Sequence, residues 1–213
     1  MKANLFLFLL SALLLASGCL LRTEPSLPAM PLSELNLQAS DLEPGSTMVR
    51  EGPLAFAGQD ALAGASNLSP VHTYYRQFEL SSAAPAQALP LQVISVVLDC
   101  TEVPLARQLA QPSRICPPAP ASPLCSRVYS IPDAGDEAYL FEDFKYANLA
   151  SSGDRYYIWL GVVRRGQYLL EVNLVFRPDS DSTPASQRAA AIEKMKALSD
   201  RFTQRLAAAR GAG

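Results

Sequence analysis

The sequence predicts an α+β domain, an antiparallel β-sheet packed by helices, on three observations. Two apolar runs between Arg155 and Arg177 flank Arg165-Gly166, the pattern of a tight hairpin. Earlier runs are rich in β-branched and aromatic residues and lack helical spacing. Near the C-terminus, Ala191, Met195, Leu198, Phe202 and Leu206 recur at spacings of 4, 3, 4 and 4, one stripe of a helix. The chain has 213 residues, enough for one domain with a real core.

Taken in order, Leu35, Leu37 and Leu42 suit a short helix or turn ended by Pro44-Gly45, and Thr47 to Arg50 a short strand. Residues 52–70 are rich in Ala, Gly and Ser and fit a surface loop or a short helix over Gln59 to Ala65. Val71 to Leu80 and Leu91 to Leu98 read as two antiparallel strands joined by a Ser/Ala/Pro loop. Asp99 or Thr101 is expected to cap a helix near 102–111, with Pro104 in its first turn and Pro112 ending it. A Pro-rich excursion to Ser126 follows, then strands at Arg127 to Ile131 and Glu137 to Lys145. In the hairpin, pairing Arg164 with Gln167 sets Val163 opposite Tyr168 and Trp159 opposite Val172. Tyr168, Leu170, Val172, Leu174 and Phe176 then share the core face. The other face holds Glu171 and Asn173 but also Ile158, Leu160, Leu169 and Val175, too apolar to lie fully exposed. It either lines a ligand cleft or lies under a helix. Thr183 and Pro184 start the last helix, which is expected to run to about 208, leaving 209–213 as a flexible tail.

Composition bounds the function. The chain is 49% hydrophobic and 18% charged, against about 25% charged in ordinary soluble domains. A net charge of −2 argues against a nucleic-acid binder, which needs a clustered basic surface. The single histidine, His72, removes any site built on two.

The apolar excess is concentrated at the N-terminus. Lys2 precedes Leu5 to Ala16, a run of twelve residues with Ser11 its one polar member. A bilayer span needs about twenty, so the run reads as a secretory signal peptide. It ends Leu15-Ala16-Ser17-Gly18-Cys19, which resembles the lipobox of bacterial lipoproteins. The resemblance implies cleavage after Gly18 and fatty-acyl (palmitate-type) chains on Cys19. Three such chains would hold the protein stably, whereas one holds only marginally. Leu20, rather than Asp, follows Cys19, which in that family implies the outer membrane of a diderm host, facing the periplasm. The expected organisation is a signal peptide over 1–18, a lipidated tether over 19–31 with Pro25, Pro28 and Pro31, and one domain over 32–208.

Cys100, Cys116 and Cys125 remain in the domain, and an oxidising compartment favours one disulfide among them. Cys116 and Cys125 enclose a short Pro-rich loop and are the expected pair, with Cys100 joined to one of them as the alternative. Three cysteines at these spacings match no zinc pattern, and no cofactor or metal motif is found. There is no Gly-x-Ser-x-Gly elbow, so His72 reads as an ordinary strand residue. Asp133, Asp136, Glu137, Glu142 and Asp143 would be needed as pairs for glycoside hydrolysis or calcium binding, but their spacing suits solvated turns. Asn67-Leu68-Ser69 matches a glycosylation acceptor that a bacterial setting makes irrelevant. Arg164 and Arg165 at the hairpin tip read as an exposed turn able to touch a partner or anionic lipid.

Three further stretches, Ala39-Ser40-Asp41-Leu42-Glu43-Pro44-Gly45, Gly135-Asp136-Glu137-Ala138 and Val162-Val163-Arg164-Arg165-Gly166-Gln167-Tyr168, frame residues 36 to 206. In this order they resemble the PknH-like extracellular sensor domain and its lipoprotein relatives. The resemblance implies an α+β sandwich with a binding role and no enzymatic activity. Sensor members carry two disulfides, whereas this chain has cysteines for one, and no functional residue carries over. The expectation is a lipid-anchored envelope protein, held to the membrane through Cys19, that binds an envelope protein or a small ligand without catalysis. A carrier or assembly factor for lipids is the rival, and a hydrolase the third class.

Overall fold

The computed structural model describes residues 30–53, 72–80, 90, 92–116, 125–142, 157–176 and 184–211. Its strands are β1 (Thr47–Pro53), β2 (His72–Glu79), β3 (Gln92–Asp99), β4 (Arg127–Ser130), β5 (Glu137–Glu142), β6 (Tyr157–Arg165) and β7 (Tyr168–Phe176). Its helices are α1 (Leu32–Leu35), α2 (Val103–Ala110), α3 (Pro112–Ile115) and α4 (Pro184–Gly211), with a 3-10 turn at Ala39–Asp41. The strands form one antiparallel sheet in the order β1-β2-β3-β7-β6-β5-β4. Two meanders, β1 to β3 and β4 to β7, therefore meet where β3 pairs with β7. The chain between β3 and β4 must cross the sheet, and it does so as α2 and α3.

That crossover explains the hydropathy of β7. One face of the sheet carries Val93, Val97, Trp159, Val163, Leu170, Val172, Leu174 and Phe176, packed with the α4 stripe Ala191, Met195, Leu198, Phe202 and Leu206. The opposite face carries Leu98, Phe141, Ile158, Leu160, Val162, Leu169 and Val175, packed with Ala106, Leu109 and Ala110 of α2 and Ile115 of α3. Every residue of β7 is buried. A strand covered on both faces needs apolar residues at every position, so the run does not alternate. The second apolar face of the hairpin lies under helices. The first face is filled where it is closest, since a Cβ built on Gly161 would lie 2.1 Å from Met195 Cε.

Several details differ from expectation. The hairpin register is offset by two residues: Arg165 pairs with Tyr168, Val163 with Leu170 and Trp159 with Leu174. The turn is thus Gly166-Gln167, with Gly166 at φ 59° in its first position. Placing glycine there spares Arg165 a left-handed conformation, and a two-residue offset leaves every side chain on its expected face. Neither Asp99 nor Thr101 caps α2: its N-cap is Glu102, which makes no side-chain cap bond. Asp99 Oδ1 instead accepts from the Thr101 amide at 2.8 Å, where Thr101 takes φ 59°. Pro112 ends α2 and also opens α3, because a proline at the first helical position forfeits no bond. Strand β1 extends to Pro53, and α4 continues past 208 to Gly211, so residues 209–211 are helical. Cys19, Asn67, Asp143 and Thr183 lie outside the described residues. No helix among the described residues is long and apolar enough to cross a membrane.

Candidate functional site

Cys116 and Cys125 are joined in a disulfide, which ties the end of α3 to the approach to β4. Cys100 is free and buried among the apolar residues under α2. Burial pushes its thiol up to about 12, with Asp99 and Glu171 adding to the effect. A thiol so shifted holds no thiolate to act as a nucleophile. His72 is exposed and pairs in register with Asp99, so strand alternation turns it to the face opposite Cys100. The two do not form a nucleophile–base pair.

The acidic residues do not converge. Asp136 and Glu137 each stand 3.4 Å from the guanidinium of Arg164, which is only 2% exposed. Asp136 also meets Arg165 at 2.6 Å and accepts from the Gly166 amide at 2.7 Å, while its own amide donates to the Arg164 carbonyl at 2.8 Å. Gly135, at φ 75°, permits this approach: a Cβ there would lie 2.7 Å from that carbonyl oxygen. The stretches 135–138 and 162–168 are therefore one structural clamp on the hairpin tip, and Arg164 is not the exposed residue expected. Glu142, at the other end of β5, meets Arg188 at 3.4 Å and accepts from the Tyr129 hydroxyl at 2.6 Å. Asp133 is exposed in a turn at φ 62°.

Elsewhere Glu51, Glu43 and Asp41 each have a cation from their own chain, whereas half-buried Asp99 is held by the Thr101 amide. Glu51 meets Arg76 at 2.8 Å, and that bond, with one from Tyr74, holds its carboxyl below the usual range. Glu43 meets Lys194 at 2.7 Å, and Asp41 pairs with Arg205.

Glu171 departs from this pattern. It lies at the middle of β7 on the α2 side of the sheet, 8% exposed, with no hydrogen bond or ion pair to any described residue. Desolvation alone raises its carboxyl to about 7. Its register neighbours are Val96 on β3 and Val162 on β6. Beyond them, on the same row, stand Tyr75 of β2 and Tyr139 of β5. Val162 is buried under α2, whereas Val96, Tyr75 and the same-face Ile94 are only half-buried. The site is thus a carboxyl group at the end of a row through half-buried Val96 and Tyr75, with Ile94 beside Val96 and Thr73 and Gln77 flanking Tyr75 on β2. Its chemistry is that of an acceptor that no donor among the described residues engages. In the sequence Glu171 reads only as a polar member of an apolar face. The signal was present: it is the one charged residue in Tyr168 to Phe176.

Among the described residues no group of three His, Cys, Asp or Glu could hold a metal ion. No protein-family model, curated protein or solved structure matches the chain.

Proposed function

We propose that the chain is a lipid-anchored extracytoplasmic lipoprotein whose α+β domain binds a ligand or partner without catalysing a reaction. Glu171 carries the binding reading: a carboxyl only 8% exposed beside half-buried Val96, with no arginine or lysine partner among the described residues such as Glu43, Glu51 and Glu142 have. A carboxyl so far buried without a counter-ion costs stability, which favours a binding role over a purely structural one. The lipobox at Cys19 and the prolines after it support the anchor and tether. The Cys116–Cys125 disulfide suits the oxidising side of a membrane. In a diderm host the proposed location is the outer membrane, facing the periplasm.

The carrier reading asks for an apolar cavity between sheet and α4, and Met195 fills that space over Gly161. The hydrolase reading asks for a converging carboxylate pair, and these acids meet arginines instead.

Native mass spectrometry of the chain extracted from membranes in mild detergent tests the binding reading. The expected result is a bound species retained by the wild type and lost from Glu171→Gln. A species held equally by both chains, or by neither, contradicts the role given to Glu171.

A further inference from the structure

The carboxyl that the domain leaves unmatched identifies the chemistry of what would match it. We propose that Glu171 anchors a site for an organic cation with an apolar stem, an alkylammonium or alkylguanidinium group. This rests on the reading of the domain as a binding module.

The charge side is a matter of contrast within one molecule. Arg76, Arg164, Arg188, Lys194 and Arg205 are each committed to other acids. Among the described residues no cation pairs with Glu171, and Arg107 and Arg114 on the helices over this face have interactions of their own. Arg164, the nearest cation on β6, is turned to Asp136 and Glu137. On α2, Arg107 faces Glu137 at 3.7 Å. At the end of β3, Asp99 and the buried thiol of Cys100 supply no cation either. Tyr75 and Tyr139 close the row. A hydrogen-bonding neutral ligand would satisfy the acceptor in part. A cation satisfies it and also reverses the electrostatic penalty of ionising a buried carboxyl.

The stem follows from that row. Val96 lies one strand from Glu171 and Tyr75 two strands away, about 5 and 10 Å across the sheet. Both are half-buried, so the row leading to the carboxyl offers one aliphatic and one aromatic side chain, between Thr73 and Gln77 on β2. A chain of three or four methylenes laid across Val96 brings its charged end to Glu171, as long basic side chains do on apolar surfaces.

The test is a titration of the full mature chain in detergent, read at the carboxyl carbon of Glu171 by NMR, with n-butylammonium, n-butylguanidinium and 1-butanol as probes. At pH 8 both cations are expected to shift the resonance saturably, and 1-butanol to bind at least about tenfold more weakly. Cation binding should weaken as the pH falls below about 7, where Glu171 takes up its proton. Glu171→Gln should lose about tenfold or more in cation affinity. Val96→Lys supplies an internal cation beside Glu171 and should block both cationic probes while lowering the titration midpoint of the carboxyl. Equal binding of butanol and butylammonium would overturn the cation assignment while leaving an apolar binding face. No perturbation by any probe would overturn the site itself. If Glu171→Gln does not fold, unblocked probe binding in Val96→Lys overturns the proposal.

Discussion

Glu171 makes a prediction in stability as well as in binding. Its folded carboxyl is raised from 4.5 to about 7 by burial, so between those values the native state holds a proton the unfolded chain has released. Stability from this group is complete below pH 4.5 and is lost as the pH rises through 7, a change of about 3 kcal/mol. Glu171→Gln should therefore gain on the wild type between pH 5 and pH 8 in urea unfolding. An equal difference between the two chains at both pH values would mean that the carboxyl titrates normally. Gly161 makes a second residue-scale prediction. Alanine there drives its Cβ into Met195 and should cost about 1–2 kcal/mol. The cost should largely vanish in a Met195→Ala background, because the two changes share one contact.

At the scale of elements, the hairpin was the most legible part of the sequence and its tip the least. The runs flanking Gly166 mark two strands because both are β-rich and bounded by turn chemistry. Their register was two residues off because glycine serves at either position of a two-residue turn, and both choices keep the faces intact. The tip clamp was hidden for another reason. Arg164 and Arg165 look like solvated turn residues until β5 pairs beside β6 and brings Asp136 to them. Removing the buried guanidinium in Arg164→Ala should cost about 3 kcal/mol in chemical denaturation, since Asp136 and Glu137 lose a shared counter-ion. Reducing the Cys116–Cys125 bond should lower stability by about 2–3 kcal/mol, measured before and after a thiol reductant. Cys100 should stay unalkylated in the folded chain throughout, being buried with its thiol pushed to about 12.

For the whole molecule, the α+β class was legible because each strand and the α4 stripe carry local periodicity. The sheet order was not, because it depends on a crossover from β3 to the far edge that no local pattern encodes. Glu171 lies on the face of the sheet where that crossover packs α2 against residues of β3, β6 and β7. Alternation places Glu171 on a face, and only the path of the chain determines what covers it. The proposed anchor at Cys19 lies at the opposite extreme, read from local sequence alone. It sets where the domain works and which ligands reach it, so the mass and fractionation of the mature chain test the proposed function most directly. The wild-type chain should begin at Cys19, carry acyl groups and sediment with membranes, and Cys19→Ser should be soluble. A wild-type chain without acyl groups, or a Cys19→Ser chain that still sediments with membranes, would contradict it.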